Sequence, residues 1–256
     1  MNFLHCFQSE WIKKRRTLSS WLVIIGAFFT PAIVLMVRLV RGRGLYAESI
    51  SSNFWEKLWT SSWESMAIFL LPLGLILATS LITQVEFKNN TWKQLHTAPQ
   101  TLTTIFLAKL AVIVVMILQC FILFNLGIYL SGVIPCLLTK GVPYPHEAVP
   151  YLFFLKENAR YFADCLPILA LEYLVSLQFS NFLVPVGGGI AFWIFSLSLL
   201  NWKYGYLFPY TYCGLHYLTS LGKYNQNASI HLMAAGYFVV FTVVGYILYV
   251  TKKQKG

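Results

Sequence analysis

The chain has 256 residues, of which 57% are hydrophobic and only 11% are charged. Soluble domains usually carry about 25% charged residues, so the composition excludes an ordinary soluble protein and predicts an integral membrane protein. The formal net charge of +10 does not indicate a nucleic-acid-binding protein, because the basic residues are scattered through the breaks between apolar runs. The cysteines include no CxxC pair, so buried free thiols are favoured over a disulfide framework or a zinc site.

Residues 2–16 predict an amphipathic helix that lies on the membrane surface. Their aromatic residues, including Phe7 and Trp11, recur every four positions, whereas Glu10 and Lys14 face elsewhere. The charged n-region of a signal peptide is the alternative. The apolar run that follows is too long for a typical signal peptide and lacks an Ala-x-Ala site, so we interpret it as an uncleaved anchor.

Six apolar runs are each close to the roughly 20 residues that a membrane-spanning helix needs. The aromatic-rich segment 54–66, which leads into the second run, is expected to lie at the membrane surface. Lys109 lies one turn inside the third run and is expected to extend outward to the headgroups. The sequence therefore predicts a single all-α transmembrane domain with spans at about residues 18–37, 65–85, 104–133, 161–179, 183–200 and 231–250.

Basic residues predict the orientation of these spans. The N-terminal segment, the loop after the second span with the nearby Lys109, and the C-terminal tail hold ten of the 19 Lys and Arg residues. The totals on the two sides nearly tie, but this set is packed into about half the loop length, and a basic cluster directly precedes the first span. Both termini and this loop are therefore predicted to be cytoplasmic.

The polar stretch between the second and third spans, residues 86–103, predicts a short cytoplasmic helix. Residues 89–91, two asparagines and Thr91, supply capping chemistry, and Trp92 and Leu95 can share one face. Pro99 stops the helix. A short helix across the end of two spans suits contact with a soluble partner.

Three motifs carry a resemblance to a known family. They are the basic helix end EWIKKRRT (residues 10–17), the loop E-x-K-x-x-T-W-K-Q-L-x-T-x-P (residues 86–99) and the turn L-x-x-L-x-F-x-x-F (residues 174–182). With these motifs and six predicted spans, the whole chain resembles the permease subunits of ABC type-2 exporters. Within them it is similar to the lantibiotic-protection, or bacteriocin immunity, branch.

The resemblance implies that residues 86–99 form a coupling helix, which sits in a cleft of a separately encoded ATP-binding subunit. Trp92 and Leu95 would be its anchors, since aromatic residues dominate interface energies, and Glu86 and Lys93 would make polar contacts. The matched motif also includes Thr91 and Pro99.

The resemblance also implies the cofactors and partners of the chain. The sequence has no Walker motif, so ATP and Mg²⁺ would bind to the partner, and no cofactor is expected in this chain. A second permease copy, or a relative of it, would complete the transporter in a bacterial inner membrane. An amphipathic or hydrophobic molecule, with an antimicrobial peptide as the first guess, would be exported.

Polar residues inside the predicted spans are candidates for a substrate path, because placing a polar side chain in a bilayer costs free energy. These are Gln119 and Asn125 in the third span and Glu172 in the fourth. The alternative is that they pack between helices or at a dimer contact. Asp164 lies near a span end and is expected to meet headgroups or Arg160.

Two other classes of function stay open. One is a membrane-embedded enzyme of lipid or prenyl chemistry, in which Glu172, Asp164 and His146 would have to converge on one pocket. The other is a membrane anchor for an ATPase complex that transports nothing. The histidines are dispersed and no HExxH or GxSxG motif occurs, so no metal site and no hydrolase site is predicted.

Overall fold

The computed structural model describes residues 3–15, 17–41, 44–88, 101–139, 141–224 and 229–251, and these contain helices but no strand. Two 3₁₀ turns, Gly205–Leu207 and Pro209–Thr211, and a π-helical turn, Met66–Leu70, join the α-helices. The α-helices are α1 Phe3–Arg15, α2 Leu18–Arg41, α3 Leu45–Ser49, α4 Phe54–Ser65, α5 Leu71–Lys88, α6 Leu102–Leu138, α7 Tyr151–Gln178, α8 Leu183–Leu199, α9 Tyr212–Ser220 and α10 Ile230–Thr251.

Four segments within the described residues are long and apolar enough to cross a membrane: Leu18–Val40, Phe54–Val85, Leu102–Leu138 and Ile230–Thr251. The predicted fourth span lies in α7, which is long but carries several charged residues, and the predicted fifth span lies in the shorter apolar helix α8. The all-α membrane fold is therefore confirmed, and the count of six spans stays a prediction.

The centre of the bundle is aromatic. Trp55, Trp59 and Trp63 repeat every four residues along α4, and each is at most 1% exposed. Trp63 stacks on Tyr161 of α7 with ring centroids 3.7 Å apart. The prediction that residues 54–66 lie at the membrane surface was wrong, because this stripe packs between α6 and α7 and α4 continues into α5.

Helix α1 is present where it was predicted, but the face that it buries most deeply carries charged residues. Its buried residues are Cys6, Glu10 and Lys14, whereas Leu4 and Ile12 are exposed. The charged face is buried because α6 offers polar partners to it. The aromatic residues Phe7 and Trp11 are partly buried beside this face, and the position of α1 on the membrane surface stays a prediction.

Helix α6 runs parallel to α2, and it approaches α2 closely at one glycine and α4 closely at another. A β-carbon at Gly127 would lie 2.8 Å from Cγ of Pro31, and one at Gly132 would lie 2.6 Å from the ring of Trp55. Arg38, buried near the C-terminal end of α2, donates a hydrogen bond of 2.5 Å to the carbonyl of Ser131. Gly127 thus lets α2 pack closely against α6, and Gly132 does the same for α4.

Residues 201–220, which lie between the predicted fifth and sixth spans, fold back into the bundle. Tyr210 contacts Glu172, and further along the chain His216 contacts Asp164. The segment therefore runs antiparallel to α7, and α9 lies against α7 with residues 211–217 buried. This return places side chains from α7, α9 and α10 next to each other.

Candidate functional site

The beginning of α6 holds a buried ion pair. Nζ of Lys109 lies 2.9 Å from Oε2 of Glu10, and Nζ of Lys13 lies 2.5 Å from Oε1 of the same carboxylate. Lys109 is 1% exposed, so the expectation that it extends to the headgroups was wrong. Burial alone would raise the pKa of Glu10, but the charges of Lys109 and Lys13 outweigh it and lower the pKa below its ordinary value.

Gln119, one of the candidate path residues, is engaged by α1. Nζ of Lys14 donates a hydrogen bond of 3.1 Å to Oε1 of Gln119 and lies 3.9 Å from the ring centroid of Trp11. Burial lowers the pKa of Lys14. The Lys14 side chain therefore ties the end of α1 to the middle of α6.

Asn125 and Asn158 form a reciprocal pair between α6 and α7. Each amide nitrogen donates to the other side chain's carbonyl oxygen, at 2.9 and 3.0 Å. Each amide nitrogen also donates to a backbone carbonyl four residues earlier in its own helix. The donors of both amides are used, so the pair joins the two helices.

Glu172 is 2% exposed and lies where α5, α7 and α8 meet. The hydroxyl of Tyr210 donates a short hydrogen bond to its Oε1, and Oε2 has no hydrogen-bond partner among the described residues. A β-carbon at Gly189 of α8 would collide with this carboxyl and lie 2.8 Å from Cγ2 of Ile76. Gly189 therefore admits α8 directly over the acid.

The three candidate path residues do not meet in one place. Gln119 contacts α1, Asn125 contacts Asn158, and Glu172 contacts Tyr210. Glu172 lies 14 residues beyond Asn158 on α7, about 21 Å at the helical rise of 1.5 Å per residue. Their role in a substrate path stays a prediction.

The structure contains an apolar groove between α2, α5 and α6. Its cavity volume is about 450 Å³, and its lining contains no charged residue. Exposed side chains of α2, including Trp21, Ile25 and Phe29, form one wall, and Gly26 and Gly74 leave room within it. The groove can hold an apolar group of a ligand.

A cluster of acids and histidines was missed by the sequence analysis. Oδ2 of Asp164 lies 2.7 Å from Nδ1 of His216, and Oδ1 lies 2.7 Å from Nδ1 of His231. Nε2 of His216 lies 3.0 Å from Oε2 of Glu157, whose other oxygen accepts a 2.5 Å hydrogen bond from Arg160. The expectation that Asp164 meets headgroups or Arg160 was wrong, because the returning α9 places an imidazole against it.

Part of this cluster had a signal in the sequence. Glu157 and Asp164 are seven residues apart and therefore lie on one face of a helix. The two histidines lie 52 and 67 residues beyond Asp164, so no local spacing joins them to it. Only the fold-back of residues 201–220 brings them together.

The pocket required by an embedded enzyme does not form. Asp164 and Glu172 have different partners, and His146 is exposed in the loop between α6 and α7. Its neighbour Glu147 accepts a 2.8 Å hydrogen bond from the amide of Phe54 and so caps α4. These residues have structural contacts, and they do not converge.

The predicted coupling residues lie at the edge of the described chain or beyond it. The backbone at Glu86 belongs to the last turn of α5. Thr91, Trp92, Lys93, Leu95 and Pro99 lie outside the described residues. Thr101 opens α6, and its side chain accepts a hydrogen bond of 3.2 Å from the amide of Thr104.

One of three comparisons with known proteins finds a match for this chain. A search of the curated proteins and a search of the solved structures found no match. Residues 6–198 match the family described as ABC-2 family transporter protein. Because the match covers well over half of the chain, the protein belongs to the ABC-2 family, as a membrane permease subunit that works with an ATPase partner in an ABC transporter.

Proposed function

We propose that this permease exports an amphipathic or hydrophobic molecule, driven by ATP hydrolysis on its partner. The family match over residues 6–198 carries the transport role, and the groove between α2, α5 and α6 supports the substrate class. A cavity of about 450 Å³ without charged lining favours an apolar group. The resemblance to the lantibiotic-protection branch makes an antimicrobial peptide the first substrate to test.

In this proposal, residues 86–99 form a coupling helix that transmits the conformational change of the ATPase to the membrane helices. ATP and Mg²⁺ would bind the partner, whose closure would push this helix. The segment connects the end of α5 to the start of α6, and both of these helices line the groove. The pair of Glu10 with Lys109 fixes α1 to the start of α6, so α1 would move with it.

The proposed transporter contains two permease copies, or this chain and a relative, in a bacterial inner membrane with both termini in the cytoplasm. Helix α8 supports pairing. Its residues Gly187 and Gly188 are exposed, and a β-carbon at either would meet no atom within 4 Å. Small residues on an exposed apolar helix let a second helix approach closely.

Affinity purification from native membranes tests the coupling helix. We expect the wild type to bring down an ATP-binding subunit and the Trp92→Ala, Leu95→Ala double variant to lose it, because the anchors of the interface are gone. The matched control is Trp202→Ala with Leu207→Ala, a pair of exposed residues outside the loop. Absence of an ATPase from the wild-type preparation in several detergents would leave transport without a source of energy and would refute the proposal.

Susceptibility of the producing cells to amphipathic peptides tests the groove. Gly26→Leu with Gly74→Leu fills it, and we expect this variant to lose protection while still binding the ATPase. Gly236→Leu, at another glycine of a membrane helix with open space around it, is the control. Full protection by the filled variant would argue against the groove, and no protection by the wild type against any peptide would favour the non-transporting anchor.

A further inference from the structure

The cluster around Asp164 draws its members from three elements. Asp164 belongs to α7, His216 to α9 and His231 to α10. One ligand atom from each, a carboxylate oxygen and two imidazole nitrogens, can be chosen so that all lie within 4.8 Å of one another. Asp164 is 0% exposed and His216 is 6% exposed.

The hydrogen bonding of His216 requires an additional positive charge. A neutral imidazole has one donor nitrogen and one acceptor nitrogen. His216 nevertheless faces carboxylates on both sides, Asp164 at Nδ1 and Glu157 at Nε2. With only one proton on the ring, one nitrogen lone pair would point at a carboxylate in a buried site, which is costly. A cation at Nδ1 removes this conflict.

We propose that Asp164, His216 and His231 bind a divalent transition-metal ion of the zinc class. Two imidazoles and one carboxylate form a ligand set that zinc sites use, with water in the remaining position. Bonds of about 2.0 Å place tetrahedral ligands about 3.3 Å apart. The present nitrogen–oxygen separations of 2.7 Å would therefore open by about half an ångström to admit the ion.

The surroundings of His216 match those of a metal ligand. With the metal on Nδ1, the ring proton lies on Nε2 and is donated to Glu157, the outer-shell arrangement that orients ligating histidines. Arg160 holds the other oxygen of Glu157. The ring of Tyr161 stacks on His216 with centroids 4.2 Å apart and an interplanar angle of 13°, which fixes the imidazole plane.

The ion would cross-link the returning segment to the bundle. Within the described residues, α9 is held to α7 and α10 around Asp164, and metal ligation would replace two hydrogen bonds with bonds that must be broken together. Metal affinity would fall at low pH, because imidazole and carboxylate must be deprotonated to bind. This site is separate from the apolar groove and does not depend on the export proposal.

Metal binding by the purified full-length protein tests the site. The protein is stripped with chelator, dialysed against Zn²⁺ and measured for metal content, and Co²⁺ is then used for the absorption bands of a tetrahedral nitrogen–oxygen site. We expect one ion per chain for the wild type and for His146→Gln, whose histidine is exposed in the loop between α6 and α7. His231→Gln and His216→Gln should lose it, and Glu157→Gln should bind roughly 10- to 100-fold more weakly.

Three results would overturn the proposal. The first is a wild-type protein that binds neither ion. The second is His231→Gln binding as the wild type does, which would place the ion on other histidines; because His231 is 36% exposed at its side chain, this variant is expected to fold. The third is a wild type whose thermal stability does not rise on adding Zn²⁺ or Co²⁺ but falls on raising the pH, with the fall absent in His216→Gln, which would show that the cation is a proton.

Discussion

At the scale of single residues, the charged groups inside the bundle are held by partners from distant parts of the chain. Glu10 pairs with Lys109, 99 positions away, and Asp164 contacts two histidines. An isolated charge is very costly in an apolar interior, whereas a hydrogen-bonded pair is tolerated. These residues therefore fix how helices are arranged.

Removing the carboxylate of Glu10 should destabilise the protein. Glu10→Gln leaves the buried Lys109 without this counter-charge, and breaking a buried pair from one side costs about 3 kcal/mol or more. Thermal unfolding in detergent, followed by tryptophan fluorescence, measures the effect. Glu64→Gln, at an exposed acid, is the control and should change little; an equal loss in both variants would show that the pair contributes nothing specific.

The same carboxylate predicts a pH dependence. Its pKa is lower in the folded protein than its ordinary value of 4.5, so the folded state favours the ionised form. The resulting stability is present above the unfolded pKa and is lost as the pH falls through the lower folded pKa. Unfolding temperatures measured between about pH 3 and 7 should therefore show a gap between wild type and Glu10→Gln that closes in acid. A gap that is constant over this range would contradict the prediction.

At the scale of elements, close helix packing is set by glycines at particular positions. On α6, Gly127 faces Pro31 and Gly132 faces Trp55, whereas a β-carbon added at Gly26 on α2 would meet no atom within 4 Å. The same residue type therefore has opposite roles on two helices of one pair. At Gly127 and Gly132 it makes room for a neighbour, and at Gly26 it leaves a gap in the groove.

A methyl group at Gly127 should separate α2 from α6. In Gly127→Ala the new β-carbon would lie 2.8 Å from Cγ of Pro31, whose ring is fixed in the α2 backbone, and overpacking of this kind costs about 1–3 kcal/mol. Gly26→Ala is the matched control, because it meets nothing and gains up to about 1 kcal/mol of helix propensity. Thermal unfolding should move in opposite directions for the two variants. Equal shifts would mean that the α2–α6 contact is looser than described.

At the scale of the whole molecule, the helices fall into two groups. Helices α4 to α7 form the aromatic centre, whereas α2, α8 and α10 turn many apolar side chains outward. Such a surface suits lipid and other transmembrane helices. Among these outward faces, α8 is distinctive because its exposed side includes two adjacent glycines, Gly187 and Gly188.

Pairing of two permease copies is expected to depend on that face of α8. Gly187→Leu should lower the dimer fraction in nanodiscs, because a bulky side chain prevents close approach of a second helix. Mass photometry at fixed protein concentration provides the measurement, and Gly236→Leu on α10, also surrounded by open space, serves as the control. If Gly187→Leu remains as dimeric as the control, the second copy pairs through a different surface.

The sequence by itself determined the class of the molecule and the position of its main helices. Apolar runs bounded by charged or turn residues depend only on local composition, so the predicted spans at 104–133 and 231–250 match α6 Leu102–Leu138 and α10 Ile230–Thr251 within a few residues. The family resemblance rested on the same local patterns. The coupling role of residues 86–99 likewise rests on the sequence and stays a prediction.

Only the tertiary structure decided which polar groups meet. Helical periodicity shows that Glu10 and Lys14 share a face, but not whether that face contacts solvent or α6. The cluster of Asp164, His216 and His231 exists because residues 201–220 return into the bundle. A contact between residues more than 50 positions apart depends on the path of the chain between them, and no local pattern in the sequence encodes that path.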